Sequence, residues 1–234
     1  LARHHTQAKD QSRQEGEEQE GIGKPGWAQL LKNLAHTVGH AAAQQQPDQA
    51  PGLSGAGAFP AVMDQHNGYV KAMVGGRGEK TGNMSLNRAT QSTRQPGSTY
   101  KILSTYVPAL DMNNDTLASV IEDAPFNYKN GRPVNNWWGG YYGNMTIRKC
   151  IEQSANVCSV KKYTEITSEV GLQYLTNNFK FTTLDPVDDS GQATALGGLT
   201  NGVYNIELTA AYASIANKGV YTEPIYYTAI YDHN

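Results

Sequence analysis

The sequence predicts an α+β fold, with helices packed against a mainly antiparallel sheet. Three observations point there: a β-prone hairpin near residue 65, helical patterns through the middle, and a β-branched, aromatic stretch at the end. Ala61–Met63 and Tyr69–Val74 flank His66-Asn67-Gly68, and Asn-Gly is a strong hairpin signal. Gly75-Gly76 ends the second strand, and Pro96-Gly97 breaks the chain directly before Ser98. From Thr99 to Leu110 the run holding Ile102, Leu103, Tyr106, Val107 and Leu110 is apolar on most faces, which predicts a buried helix. Pro108 is expected to kink or close it. Thr146 stands where an N-cap belongs, for a helix to about Gln153. Ser154-Ala155-Asn156 then falls at a helix end, where an Asn tolerates unusual backbone angles. Further helices are expected from Ser159 and over Gly171 to Phe179. Asn205 is placed to cap Ile206 to Asn217, with Gly219 as the stop. Val220 to Tyr231, interrupted by Pro224, reads as a strand pair or one long strand.

Composition divides the chain. All 14 tyrosines lie at or after Tyr69, five of the six histidines lie at or before His66, and Trp27 is the sole aromatic residue before Phe59. The shift predicts a low-complexity N-terminal segment over 1–58 and a folded domain over 59–234. Runs such as Gln14-Glu-Gly-Glu-Glu-Gln-Glu20, and the Gln-, Pro-, Gly- and Ala-rich stretch 44–58, have little to bury and are expected to be largely disordered. Trp27, Leu30, Leu31, Leu34 and Val38 recur at helical spacing and predict one amphipathic helix over about 26–43. A net charge of −2 argues against broad attraction to nucleic acid or anionic membrane. No apolar run reaches the roughly 18 residues a membrane span needs. The first residue is Leu, which leaves room for a signal or anchor upstream. On one unbroken helix Cys150 and Cys158 would stand about 12 Å apart, too far for a disulfide, so two buried thiols are expected. No His/Cys cluster has zinc spacing and no Walker-type loop is present, so neither a metal nor a nucleotide cofactor is expected.

The chemistry concentrates in two short motifs. Ser98 and Lys101, three apart at a helix start, point the same way one turn above each other. That geometry lets an amine take a hydroxyl proton, which activates a serine without a histidine. Ser154-Ala155-Asn156 offers a second hydroxyl and an amide, suited to relaying a proton and holding a peptide carbonyl. The loop from Asn127 to Tyr142 carries Tyr128, Trp137, Trp138, Tyr141 and Tyr142 among glycines and asparagines. It is either a lid packed on the domain or a wall of a substrate groove.

From about Phe59 onward the chain resembles the transpeptidase domain of class A penicillin-binding proteins, the bifunctional cell-wall synthases of bacteria. The resemblance rests on stretches in family order: Val62 to Gly76, Asn87-Arg-Ala-Thr90, Arg94-Gln-Pro-Gly-Ser-Thr-Tyr-Lys101, Tyr142 to Arg148 leading into Ser154-Ala-Asn156, Gly197 to Val203, and Leu208 to Ala213. It implies the penicillin-binding/β-lactamase-like transpeptidase fold, with Ser98 as nucleophile toward D-Ala-D-Ala stem peptides and β-lactams. It further implies Lys101 as base, Ser154 as proton relay, Asn156 as the residue orienting the peptide, and Trp137 or Trp138 at the substrate. The implied partners are peptidoglycan stem peptides and β-lactam antibiotics, with no cofactor. The implied location, for the full-length protein, is the extracytoplasmic face of a bacterial cell membrane. The family's third motif, Lys-Thr/Ser-Gly, should follow the region of Tyr231, and the chain stops at Asn234. Lys80-Thr81-Gly82 lies upstream of the nucleophile and reads as coincidence. The family's glycosyltransferase domain and anchor are not recognisable before residue 59. The chain is therefore expected to be a partial, impaired domain. The rival expectations are an inactive fragment, or a β-lactam-hydrolysing or -sensing protein of the same fold, for which Glu165 and Glu169 are the nearest candidates to hold a water.

Overall fold

The computed structural model describes residues 61–76, 82 and 84–232. The expected boundary at residue 58, the helix over 26–43, and Lys80 and Thr81 lie outside the described residues. The order is a hairpin of β1 (Ala61–Met63) and β2 (Val70–Met73), a single-turn α1 (Arg88–Gln91) and β3 (Thr93–Arg94). A continuous helical run follows over 97–112, here α2. Then come β4 (Val120–Asp123), β5 (Gly143–Thr146), α3 (Ile147–Glu152) and α4 (Asn156–Ile166). A helix over 168–178, α5, two short 3₁₀ turns, β6 (Val203–Tyr204) and α6 (Asn205–Ala216) complete the order.

The hairpin forms as Asn67-Gly68 predicts, with a register shift between Val62 and Met63. Among the described residues the strands form three separate two-stranded antiparallel ladders, β1 with β2, β3 with β6 and β4 with β5. Helices supply most of the interior. Leu103, Tyr106 and Val107 of α2 pack with Ile147, Cys150, Cys158, Leu175 and Phe179 in the larger apolar cluster. Val157, Val160 and Tyr163 of α4 lie in the second, with Ala109, Val134 and Ala195. Cys158 of α4 belongs to the first cluster, so α4 packs against both, leaving Thr164 and Glu165 to solvent.

Four local expectations are corrected. Pro108 does not close α2, which runs on to Met112. The turn before it is widened over Ile102–Tyr106, where Val107 N–H bonds to Ile102 O five residues back. Proline lacks an N–H and crowds the carbonyl four residues earlier, and the wider turn makes room for it. The second helix of the middle region starts at Asn156 rather than Ser159. Asn205 is the first residue of α6 rather than its cap. Val220 to Tyr231 is not a strand: only Ile225 pairs, donating to Gly68 O at 2.8 Å and accepting from Val70 N at 3.0 Å. Pro224 interrupts the donors, and Tyr226, Tyr227, Ile230 and Tyr231 face solvent.

Candidate active site

Ser98 sits in the 3₁₀ turn Gly97–Thr99 that opens α2, half-buried. Three contacts hold that turn from the segment 197–212. The Gln95 side chain and the Leu199 backbone exchange hydrogen bonds, Gln95 Nε2 donating to Leu199 O at 2.5 Å and Leu199 N to Gln95 Oε1 at 2.7 Å. Tyr212 Oη donates to Thr99 O at 2.5 Å. Gly197, at φ +72°, lies so close beneath Gly97 that a Cβ would stand 2.2 Å from Gly97 O. Such an approach admits only glycine.

Lys101 lies one turn further on and is 2% exposed. Its Nζ donates to Ser154 O at 2.6 Å, to Ser154 Oγ at 3.1 Å and to Asn156 Oδ1 at 2.6 Å. Those bonds match the three donors of an ammonium. Among the described residues Lys101 makes no hydrogen bond to Ser98; its amine is turned to the second motif. Burial among neutral acceptors pushes it down to about 7 from an ordinary value of 10.5.

The second motif is the break between two helices. Thr146 caps α3 as expected, accepting from Lys149 N at 3.2 Å. Ser154 then turns left-handed at φ +50°, and α4 begins at Asn156. The unusual backbone angle therefore falls on Ser154, not on Asn156 as the sequence led us to expect. A left-handed residue between helices redirects the chain, and here it leaves both the carbonyl and the hydroxyl of Ser154 on the Lys101 amine. Asn156 donates from Nδ2 to Asn135 O at 2.8 Å, which leaves Oδ1 to the amine. Thus the structure brings Lys101, Ser154 and Asn156 into direct contact, with Ser98 one helical turn away.

Trp137 is 72% exposed, and its Nε1 donates to Gln153 O at 2.9 Å, next to Ser154. Trp138 meets it edge-on at 5.5 Å and stacks on Tyr142 at 4.7 Å, half-buried against the larger apolar cluster. Of the two tryptophans, Trp137 presents its ring to solvent beside the second motif. Cys150 and Cys158 are both buried and free. The turn at Ser154 undoes the separation of a single helix, and the side-chain hydrogen bond the Cys150 thiol makes to Cys158, together with burial, pushes that thiol up. Glu165 sits nine residues along α4 from Asn156, about 13 Å up the axis, and is taken by Asn113 and Lys162. Glu169 lies beyond it in α5. Asn135 and Asn136 were missed in the sequence, where they read as polar filler of the aromatic loop; only their proximity to the Trp pair could have flagged them. Among the described residues no His/Cys/Asp/Glu group could hold a metal ion, and no helix is long and apolar enough to cross a membrane.

Residues 58–234 match the family model described as penicillin binding protein transpeptidase domain. Over 184 residues the chain is 35% identical to penicillin-binding protein 1A of Clostridium tetani, covering 73% of this chain and 23% of that protein. It is 29% identical over 169 residues to penicillin-binding protein 1A/1B of Bacillus subtilis, covering 72% of this chain and 18% of that protein. The chain thus spans about a quarter or less of the length of these two curated relatives. The crystal structure of penicillin-binding protein 1A from Haemophilus influenzae superposes with a TM-score of 0.56 at 28% identity, over 66% of this chain and 22% of that one.

Proposed function

The chain belongs to the penicillin-binding protein transpeptidase family, and we propose that it carries the acyl-transfer site of a D,D-transpeptidase that cross-links peptidoglycan stem peptides ending in D-Ala-D-Ala. One observation supports this most: a buried amine near neutrality, hydrogen-bonded to a second serine and an asparagine, one helical turn from a serine on a clamped turn. Ser98 Oγ attacks the carbonyl carbon of the penultimate D-Ala, and its proton passes to neutral Lys101 Nζ. As the tetrahedral adduct collapses the C–N bond breaks. Lys101 returns the proton through Ser154 Oγ to the departing D-Ala amine. An amine from a neighbouring stem then attacks the ester, the steps run in reverse, and Ser98 is regenerated. Asn156 orients the stem peptide backbone, Trp137 lines its path, and the backbone N–H of Ser98 donates one of the bonds the oxyanion needs. A single such donor matters by about 100- to 1000-fold in rate. β-Lactams would acylate the same serine, and peptidoglycan places the reaction at the extracytoplasmic face of a bacterial membrane. Hydrolysis assisted by Glu165 or Glu169 is opposed by their position toward the far end of α4 and beyond.

Labelling with a fluorescent penicillin tests the reading. The expected result is a stable adduct, absent in Ser98→Ala. Release of the label within minutes would favour a hydrolase, and an unlabelled protein would defeat the proposal.

A further inference from the structure

The aromatic loop grips the second motif from behind. Asn136 is 5% exposed, and both ends of its amide are engaged. Oδ1 accepts from Asn156 N at 2.9 Å and from Val157 N at 3.1 Å. Nδ2 donates to Asp123 Oδ1 at 2.7 Å and to Gly140 O at 3.0 Å. The orientation is chemically unambiguous, because the flipped amide would set NH₂ against two N–H groups and oxygen against a carboxylate. Asp123, on β4, is fully buried, and its second oxygen accepts from Tyr142 N at 2.8 Å.

This arrangement replaces a local helix cap. Ala155, in the N-cap position of α4, has no side chain to offer, and the first amides of a helix lack intrahelical acceptors. A residue 20 positions upstream supplies one. Its neighbour Asn135 takes the Asn156 side chain as well. Two adjacent loop residues therefore fix both the backbone and the amide plane of Asn156, the group that meets the Lys101 amine. A cap serving only helix stability would not need the second contact.

We infer that Asn136 and Asp123 are positioning residues of the acyl-transfer site, holding Asn156 so that its Oδ1 faces Lys101. This rests on the transpeptidase reading given above. Without Asn136 the start of α4 loses its acceptor and the Asn156 amide can turn away. Misplacement by about 1 Å costs about 100-fold in rate.

The test compares second-order acylation rates with fluorescent penicillin, per labelled site, in the protein as its cell produces it. Asn136→Ala is expected to fall about 10- to 100-fold. Adding it to Asn156→Ala should cost little more, since both variants lose the same group. Losses that multiply, or a wild-type rate per site, would overturn the inference. Should Asn136→Ala not fold, Asp123→Asn and Asn136→Asp each keep an acceptor for α4 while disturbing the Asp123–Asn136 bond. Each is expected to slow acylation, and the pair combined to regain part of the rate. An unlabelled parent protein would sink the transpeptidase reading instead. The positioning claim is then decided by NMR: the Asn156 side-chain amide signals should move in Asp123→Asn, and unmoved signals overturn it.

Discussion

Two lysines lose nearly all contact with water in this domain, and their surroundings send them in opposite directions. Burial pulls Lys162 down, but the hydrogen bonds it donates to Glu165 and Asp115, at 2.8 and 2.9 Å, outweigh it and hold the group above its ordinary range. Lys101 meets only uncharged acceptors, so burial wins and the amine sits at about 7. The difference separates a lysine held in an ion pair from one that titrates near neutrality. Its sign for stability is fixed. Between about 7 and 10.5 the unfolded chain holds a proton that the folded one has released, so this group's contribution to stability rises with pH across that window. Below about 7 both states are protonated, and the penalty of the buried ammonium is constant. Lys101→Met should abolish this slope: denaturant titrations at pH 6.5 and 9 should show wild type gaining stability relative to the variant. The acylation rate should fall about tenfold per pH unit below about 7, and a rate flat from pH 5 to 8 would exclude Lys101 as the base. The residues singled out in the sequence for this site, Ser98 with Lys101 and Ser154 with Asn156, stand at short spacings that a sequence displays, and the structure sets Lys101 on Ser154 and Asn156. Asn136 and Asp123 were not legible, since their meaning arises from contacts made 13 to 21 positions apart in the chain.

At the scale of elements, the turn carrying Ser98 depends on a partner the sequence does not announce. Pro96-Gly97 marks a break before a helix, and that much is readable from Pro and Gly alone. What lies under the break is Gly197, whose αL backbone and contact with Gly97 are tertiary facts. Gly197→Ala would add an unfavourable φ of about 1–2 kcal/mol, and its Cβ would meet backbone atoms 2.2 and 2.6 Å away. Backbone cannot swing aside as a flexible side chain would, so the turn carrying Ser98 must shift. A lower melting temperature and a loss of acylation of at least tenfold per folded molecule are expected. A variant that melts lower yet acylates normally would show that the clamp serves stability alone. The same distinction explains Pro108, where the helix was read but the expected closure gave way to a wider turn that lets it run on. Propensity names the conflict, but packing decides the outcome.

The described residues are held by helices more than by sheet, which the order of elements in the sequence does not reveal. Hairpin and helices were legible, and the α+β class stands, but the β-prone end that was read as a strand is not one. How the strands pair was not legible, because β3 finds β6 and β4 finds β5 across long intervals of chain. The closing stretch shows the limit of propensity most plainly. Its Tyr and Ile residues favour extended chain, yet only Ile225 finds a ladder partner, between Gly68 and Val70. Amide hydrogen exchange should reproduce this hierarchy. Amides of α2 and α4, surrounded by the two apolar clusters, should exchange only through global opening. Ile225 N–H, bonded to Gly68 O, should be protected to an intermediate degree, because the opening that frees it need only lift the closing segment from the hairpin. Amides over 226–231, beyond that single bridge and beneath exposed side chains, should exchange near the intrinsic rate. Protection over 226–231 equal to that of α4 would mean that the closing segment is paired in solution, and the account of why propensity failed there would have to be abandoned.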